Sequence, residues 1–382
     1  MPPSQDLSRC RLPQEIVHVI IHQAKDNRTT LYNLCLVSTS FLHEAQRSLY
    51  HNLNITDDIF AFCSGWTIDF DGAKTLLITL TEHNTALAEH VHSLYHRLTN
   101  VDHYNNEAHW KLFARSLQLM SNLKRLIVTC SHPTTDYLAE YPFRRLEVFA
   151  CDRSCGDPIT YKDTMHLLST QPHLKSIYVW DLFHNNEPFP EDCCLNLEAL
   201  TGDRRTIESI LPGRSVTKLT WIPASGEDGV SIPRTIISEL SNIRIFSLGG
   251  YYDRSSFHLL IPYLPSLEVL RLFGKSPGVE LSVEFELIPK LPNLRVFIWT
   301  AGFATSVKGW GCFDNESGVD TQRSWVKDWF SKSRSLEVAY FHSRQPEPTP
   351  QRYLCWKRDE DGPALVDAEE AVASHGVVSW YS

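Results

Sequence analysis

The 382-residue sequence lacks any apolar run near the ~20 residues that a bilayer crossing needs, which predicts no membrane span. Its opening, MPPSQDLSRCRLP, has no apolar stretch of the secretory type, so a cytoplasmic or nuclear location is expected. Basic excess is missing too. Lys and Arg number 36 against 45 Asp and Glu, a formal charge of −9. A bulk nucleic-acid binder would carry a basic stripe, so this balance argues against that class. Ten cysteines (10, 35, 63, 130, 151, 155, 193, 194, 312 and 355) form no regular framework and are expected as reduced, buried thiols.

Signatures of chemistry are also absent. There is no phosphate loop and no G-x-S-x-G elbow. Gly309-Trp310-Gly311 lacks the later glycine of a dinucleotide fingerprint. His90, His92 and His96 invite a metal reading, but no regular element places all three on one face. Cys151 with Cys155, and Cys193 with Cys194, do not match a paired C-x₂-C zinc pattern. Asp359-Glu360-Asp361 reads as a solvated acidic turn. No catalytic residue, metal or cofactor is expected.

Hydrophobic residues make up 42 % and charged residues 21 %, a composition that folds. From Leu12 to Tyr50 the pattern is helical. Pro13 suits a first helical turn, where its missing N–H has no intrahelical partner anyway. Ile16, Val17, Ile20 and Ile21 then recur as one apolar stripe. Thr29 or Thr30 is predicted to cap a second helix. Leu31, Leu34, Val37 and Phe41 repeat every three or four residues, followed by Leu42, Ala45 and Leu49. These are two or three short helices with more apolar surface than ~40 residues bury alone, so a partner is implied.

This segment resembles an F-box of the form common in fungal proteins. The matching residues are Leu12-Pro13-x-Glu15-Ile16 with Ile20-Ile21, Leu31-x-x-Leu34-x-x-Val37-Ser38, Phe41, Ala45 and Leu49-Tyr50. Phe41 and Tyr50 stand where Trp is common in the family, and both keep an aromatic anchor. The resemblance implies docking on the Skp1 adaptor of a cullin-type ubiquitin ligase. Leu12, Pro13, Ile16, Ile20, Leu31, Leu34, Val37 and Phe41 would be the docking and folding set.

After Tyr50 one phrase recurs: a polar or proline-containing lead, an apolar-x-x-apolar pair, then β-formers. Examples are NLKRLIV at 122–128, FRRLEVF at 143–149, SLEVLRLF at 266–273 and NLRVFIW at 293–299. The second anchors fall at 94, 126, 146, 177, 200, 219, 246, 270, 297 and 339, with a mean spacing of about 27 residues, within the leucine-rich-repeat range. Each phrase is a strand candidate. The stretches between them read as helices, such as Ala108 with Leu112 and Phe113, or Phe257 with Leu260 and Ile261. The predicted fold class is α/β, a small α-helical N-terminus followed by an irregular leucine-rich-repeat solenoid. Parallel strands would line its concave face and helices its convex face. Predicted segments are residues 1–50 (F-box), 51–89 (first strand and joining region), 90–344 (solenoid) and 345–382 (acidic tail or cap).

An F-box before leucine-rich repeats is similar to a large group of fungal F-box proteins. That resemblance implies a non-catalytic substrate receptor, with Skp1 and through it a cullin on one side and an unknown target protein on the other. The alternative is a repeat scaffold without a role in ubiquitin transfer. Target contacts are expected from exposed concave-strand positions, Tyr178, Trp180, Arg271, Phe273 and Trp299, or from Trp310 in the Gly-rich stretch 301–323.

Overall fold

The computed structural model describes residues 12–56, 67–98, 106–129, 143–152, 166–179, 189–222, 234–249, 255–274, 285–300, 316–343 and 352–377. The fold is α/β, with N-terminal helices followed by strands that pair mostly in parallel. The chain divides into two compact units, the first running through Val148 and the second starting at Phe149.

The first unit opens with α1 (Gln14–Ala24), α2 (Arg28–Val37) and α3 (Thr39–His51). Pro13 stands just before α1, and its carbonyl accepts the N–H groups of Ile16 and Val17. The cap of α2 is Asn27 rather than a threonine. Its side-chain oxygen accepts the Thr30 N–H at 2.9 Å, while its own N–H closes α1 on the Ala24 carbonyl. One asparagine thereby ends one helix and starts the next, and Asn is at least as good a cap as Thr. Ser38 caps α3 through the Phe41 N–H.

Next come β1 (Asn52–Thr56), α4 (Phe70–Ile78), β2 (Ser93–Arg97), α5 (Glu107–Leu119) and β3 (Arg125–Thr129). The three strands are parallel, with Leu53 opposite Leu94 and Leu94 opposite Leu126. Each repeat enters its strand in the same way. The Lys124 and Arg125 N–H groups both donate to the His92 carbonyl, and those of Glu147 and Val148 both donate to the Lys124 carbonyl. Val148 is therefore the counterpart of Arg125. The second anchor of that copy is Phe149, not Leu146.

The second unit starts within β4 (Val148–Asp152), and β5 (Ser176–Val179), β6 (Ala199–Gly202), β7 (Lys218–Trp221), β8 (Ile245–Gly249), β9 (Val269–Phe273), β10 (Val296–Thr300) and β11 (Val338–Ser343) then follow one another in chain order. From β5 to β11 neighbours pair in parallel. Ile177, Leu200, Leu219, Phe246, Leu270 and Phe297 fall in one register row, and all are fully buried. Burying each such side chain stabilises the stack by roughly 1.5–3 kcal/mol.

Two polar ladders fix the rise from repeat to repeat. Asn122, Asn196 and Asn293 each donate a side-chain N–H to a carbonyl one repeat earlier, those of Glu89, Pro172 and Pro265. Immediately before the strands, Arg244 makes a two-pronged bond to Glu268, and Arg295 makes another to Glu337.

The connections are α6 (Arg204–Ile210), α7 (Ile237–Leu240), α8 (Glu316–Lys332) and several 3₁₀ turns, including Ser255–Leu259, Ile261–Tyr263 and Ile288–Lys290. The helix expected around Phe257 and Ile261 is thus a pair of tight turns. Pro262 and Pro289 lie at the start of two of them, where a missing N–H costs nothing and a short 3₁₀ turn suffices. An aromatic cluster joins α8 to the sheet, with Phe285, Phe297, Trp329 and Phe341 in mutual contact.

The C-terminal stretch folds back. Strand β12 (Arg352–Lys357) pairs antiparallel with β11, β13 (Ala364–Asp367) pairs antiparallel with β12, and α9 (Ala368–Ala371) follows. Ala371, Val372 and Val377 pack in one cluster with Val269, Val296, Ile298, Val338 and Tyr340. Those strand residues are on the face opposite the anchor row. Arg358 donates to the carbonyls of Phe330, Ser333 and Leu336, which closes the end of α8.

Candidate functional site

Each of the first two helices carries two apolar rows, and only one is used for folding. Val17, Ile21 and Ala24 of α1 meet Leu31, Phe41 and Ala45 in a small core, with Ile20, Leu34, Cys35 and Leu49 packed at its edge. On the other side of α1, Leu12, Ile16 and Val19 face solvent. So do Tyr32, Leu36 and Val37 on α2, and the six are 45–71 % exposed. Only three further large apolar residues are exposed among the described residues: Leu195, Leu259 and Leu365. Scattered exposed apolar residues need no explanation, but six within 26 residues mark an interaction surface.

The docking and folding set from the sequence separates along this line. Leu31 and Phe41 are enclosed, Ile20 and Leu34 are half-buried, and Leu12, Pro13, Ile16 and Val37 are exposed. Sequence reading misses Val19, Tyr32 and Leu36 as surface positions. Their spacing from Ile16 and from each other (three and four residues) is the signal that was available. The single stripe predicted from Ile16 to Ile21 is in fact two, because Val17 and Ile21 turn inward while Ile16 turns out.

The target-contact expectations need correction. Trp299 lies opposite Leu272 and Phe341 in register, so it belongs to the helix-side face, where it is buried. Strand alternation already demanded this, since Leu270 and Leu272 define that face. Tyr178 and Arg271 occupy the opposite face but are buried as well. Arg271 is overlaid by the chain's own C-terminal strands, where Tyr353 of β12 bonds to it. Phe273 is half-buried. Trp180 and Trp310 lie outside the described residues.

The histidines near residue 90 point to different partners. His92 stacks on His51 with ring centroids 4.4 Å apart, and its Nδ1 lies 2.9 Å from the His90 carbonyl. His96 is buried, with its Nε2 2.9 Å from that of His109. Among the described residues, no three His, Cys, Asp or Glu side chains are placed to hold a metal ion. A cavity of about 440 Å³ in the first unit sets Arg47 and Arg145 against Glu44 and Glu89 and favours neither charge. Cys194 is enclosed, and burial pushes its thiol up to about 12. Among the described residues no helix is long and apolar enough to cross a membrane.

No family model matches the chain, and no curated protein matches it. Among solved structures, the chain is similar to one described as the crystal structure of the Rad7 and Elc1 complex in yeast. That similarity has 17 % identity and a TM-score of 0.35, covering 85 % of this chain and 87 % of that one. A superposition that loose assigns neither family nor function to this chain.

Proposed function

We propose that this chain is the substrate-recognition subunit of an Skp1–cullin–F-box ubiquitin ligase. The observation that carries the reading is the outward apolar row of α1 and α2, Leu12, Ile16, Val19, Tyr32, Leu36 and Val37, within a segment that resembles an F-box. An adaptor groove that accepts short amphipathic helices would cover that row. The repeats of the second unit would hold a target protein. Other subunits would carry ubiquitin, and this chain would form no covalent intermediate. Its contribution is effective concentration, which reaches the millimolar range when two partners share one short tether. The location that follows is cytoplasmic or nuclear.

The test is capture of an Skp1-type adaptor by the full chain and by the double variant Leu12→Ala, Pro13→Ala. The expected result is capture that weakens about tenfold or more in the variant, because interface anchors commonly exceed 2 kcal/mol. Equal capture, or none by the unmodified chain, would leave the repeat scaffold without a ubiquitin role as the better account.

A further inference from the structure

Strands β1 and β13 are the outermost of the sheet, and the chain treats them differently. At β1 the outward backbone groups are taken. The Ile68 N–H donates to the Asn54 carbonyl at 2.8 Å, the Ile68 carbonyl accepts the Thr56 N–H at 3.0 Å, and Arg28 donates to the Asn52 carbonyl at 2.9 Å. At β13 the strand partner is β12, and beyond β12 nothing among the described residues bonds the backbone of Leu365 or Val366. An outer strand with open N–H and C=O groups is a template for one more strand.

The side chains beside that edge form an unfinished row. Phe341, Leu354 and Leu365 are register neighbours across β11, β12 and β13. Phe341 is fully buried, Leu354 is half-buried and Leu365 is 46 % exposed. The row opens to solvent one strand at a time, and an added strand gives it a next member. The surroundings are acidic. Lys357 pairs with Glu360 at 3.4 Å, Arg358 gives its donors to carbonyls at the end of α8, and Arg352 stands opposite Asp367 in register. Asp359 and Asp361 in the turn before β13, and Glu369 and Glu370 on α9, are exposed and form no ion pair among the described residues.

We propose that the free edge of β13 takes up an extended, basic peptide segment as an added strand. An apolar residue of the segment lies beside Leu365, and its Lys or Arg residues meet the surrounding carboxylates. Main-chain bonds supply affinity and alternate side chains supply specificity. Charge decides against a second copy of this chain as the occupant. Pairing two β13 edges brings these carboxylates together, and like charges on adjoining strands repel. In the receptor reading the segment belongs to the target protein, and only that assignment rests on the reading.

The test uses the full chain and two short synthetic peptides, one alternating lysine with valine and the other arginine with leucine. One control replaces the basic residues by glutamate. The other is N-methylated along its backbone, which keeps charge and side chains and removes the main-chain donors. Binding is followed by calorimetry and by hydrogen exchange of the β13 amides. At least one basic peptide is expected to bind, to slow exchange in β13, and to bind about tenfold or more tightly than either control. Leu365→Lys, at an exposed position, is expected to keep the fold and to weaken that peptide about tenfold or more. The exchange readout in the wild-type chain serves if the variant does not fold. Failure of both basic peptides, equal binding of the N-methylated control, or binding that leaves β13 exchange unchanged overturns the proposal. Protection of β13 that rises with the concentration of the chain alone overturns it too, because a second copy is then the occupant. Adaptor capture is expected to be unchanged in Leu365→Lys, so this result and the receptor test stand or fall separately.

Discussion

His375 Nε2 lies 3.1 Å from the Tyr340 hydroxyl, which fastens the C-terminal segment to β11 across 35 residues of chain. Around that bond, Ala371, Val372 and Val377 pack on the face of β9, β10 and β11 opposite the anchor row. The segment is a structural lid on the sheet. Val372→Asp should cost about 3 kcal/mol or more, because it places an unpaired carboxylate in this apolar cluster. Glu369→Gln, on the exposed side of the same segment, should stay within about 0.5 kcal/mol. Denaturant unfolding of both variants checks this, and equal stability of the two would show that the segment adds nothing.

Gly249 is the register partner of Phe273, and a methyl group built there would meet the Phe273 ring at 2.1 Å. The glycine is required by that approach. Gly249→Ala should therefore destabilise the second unit by about 1–3 kcal/mol through overpacking. Adding Phe273→Ala should recover part of the loss, since the two changes share one contact. Additive costs in the four-member cycle would show that the ring simply swings away.

The repeats were legible because their physics is local. A phrase with anchors three residues apart puts Leu267 and Leu270, or Leu294 and Phe297, on one buried row whatever surrounds them. Misreadings arose where two local answers are equally good. Phe143, Leu146 and Phe149 are evenly spaced, so only the bonds from Glu147 and Val148 to Lys124 settle which two are the anchors. Asn27 and Thr30 both make caps, and the close succession of α1 and α2 decides for Asn27. Ile16 and Val17 are equally apolar, and it takes the positions of α2 and α3 to show which is enclosed. That the C-terminal stretch could act as a cap is readable, but its packing residues are hidden for a different reason. Its acidic residues describe its solvent side, while three small apolar residues, Ala371, Val372 and Val377, do the packing. The face of Trp299 was readable by alternation from the neighbouring strand and was missed.

Burial and the nearby Arg271 charge hold His342 down to about 4, from an ordinary 6.5. His51, His90 and His375 are also lowered, each chiefly by burial. The unfolded chain then takes up these protons before the folded one does. Stability is complete above pH ~6.5 and falls as the pH drops from there toward 4. His342 should account for about 2 kcal/mol of that loss once its partial exposure is allowed for. Urea midpoints at pH 7.5 and 4.5 should separate by less in His342→Gln than in wild type. Glu337 acts in the same sense at lower pH: its bond to Arg295 lowers it, so its contribution too is lost as the pH falls, only further down. An unchanged separation in His342→Gln would assign the pH response to other groups.

Leu31 and Leu36 are five residues apart on α2, one in the small core and the other 71 % exposed. The two positions separate folding from docking. Leu31→Ala removes a fully enclosed side chain and should destabilise the helical segment by about 2–5 kcal/mol. Leu36→Glu and Ile16→Glu change groups that touch solvent, so stability should move by no more than about 0.5 kcal/mol. If the outward row is the adaptor surface, the same two variants bury a charge in the complex and should weaken capture roughly thirtyfold or more, the equivalent of about 2 kcal/mol. Circular dichroism melts read the first effect and titration against purified adaptor the second. Capture that survives Leu36→Glu and Ile16→Glu but falls with Leu31→Ala would mean that the segment matters only as a folded cap and that its outward row serves some other contact.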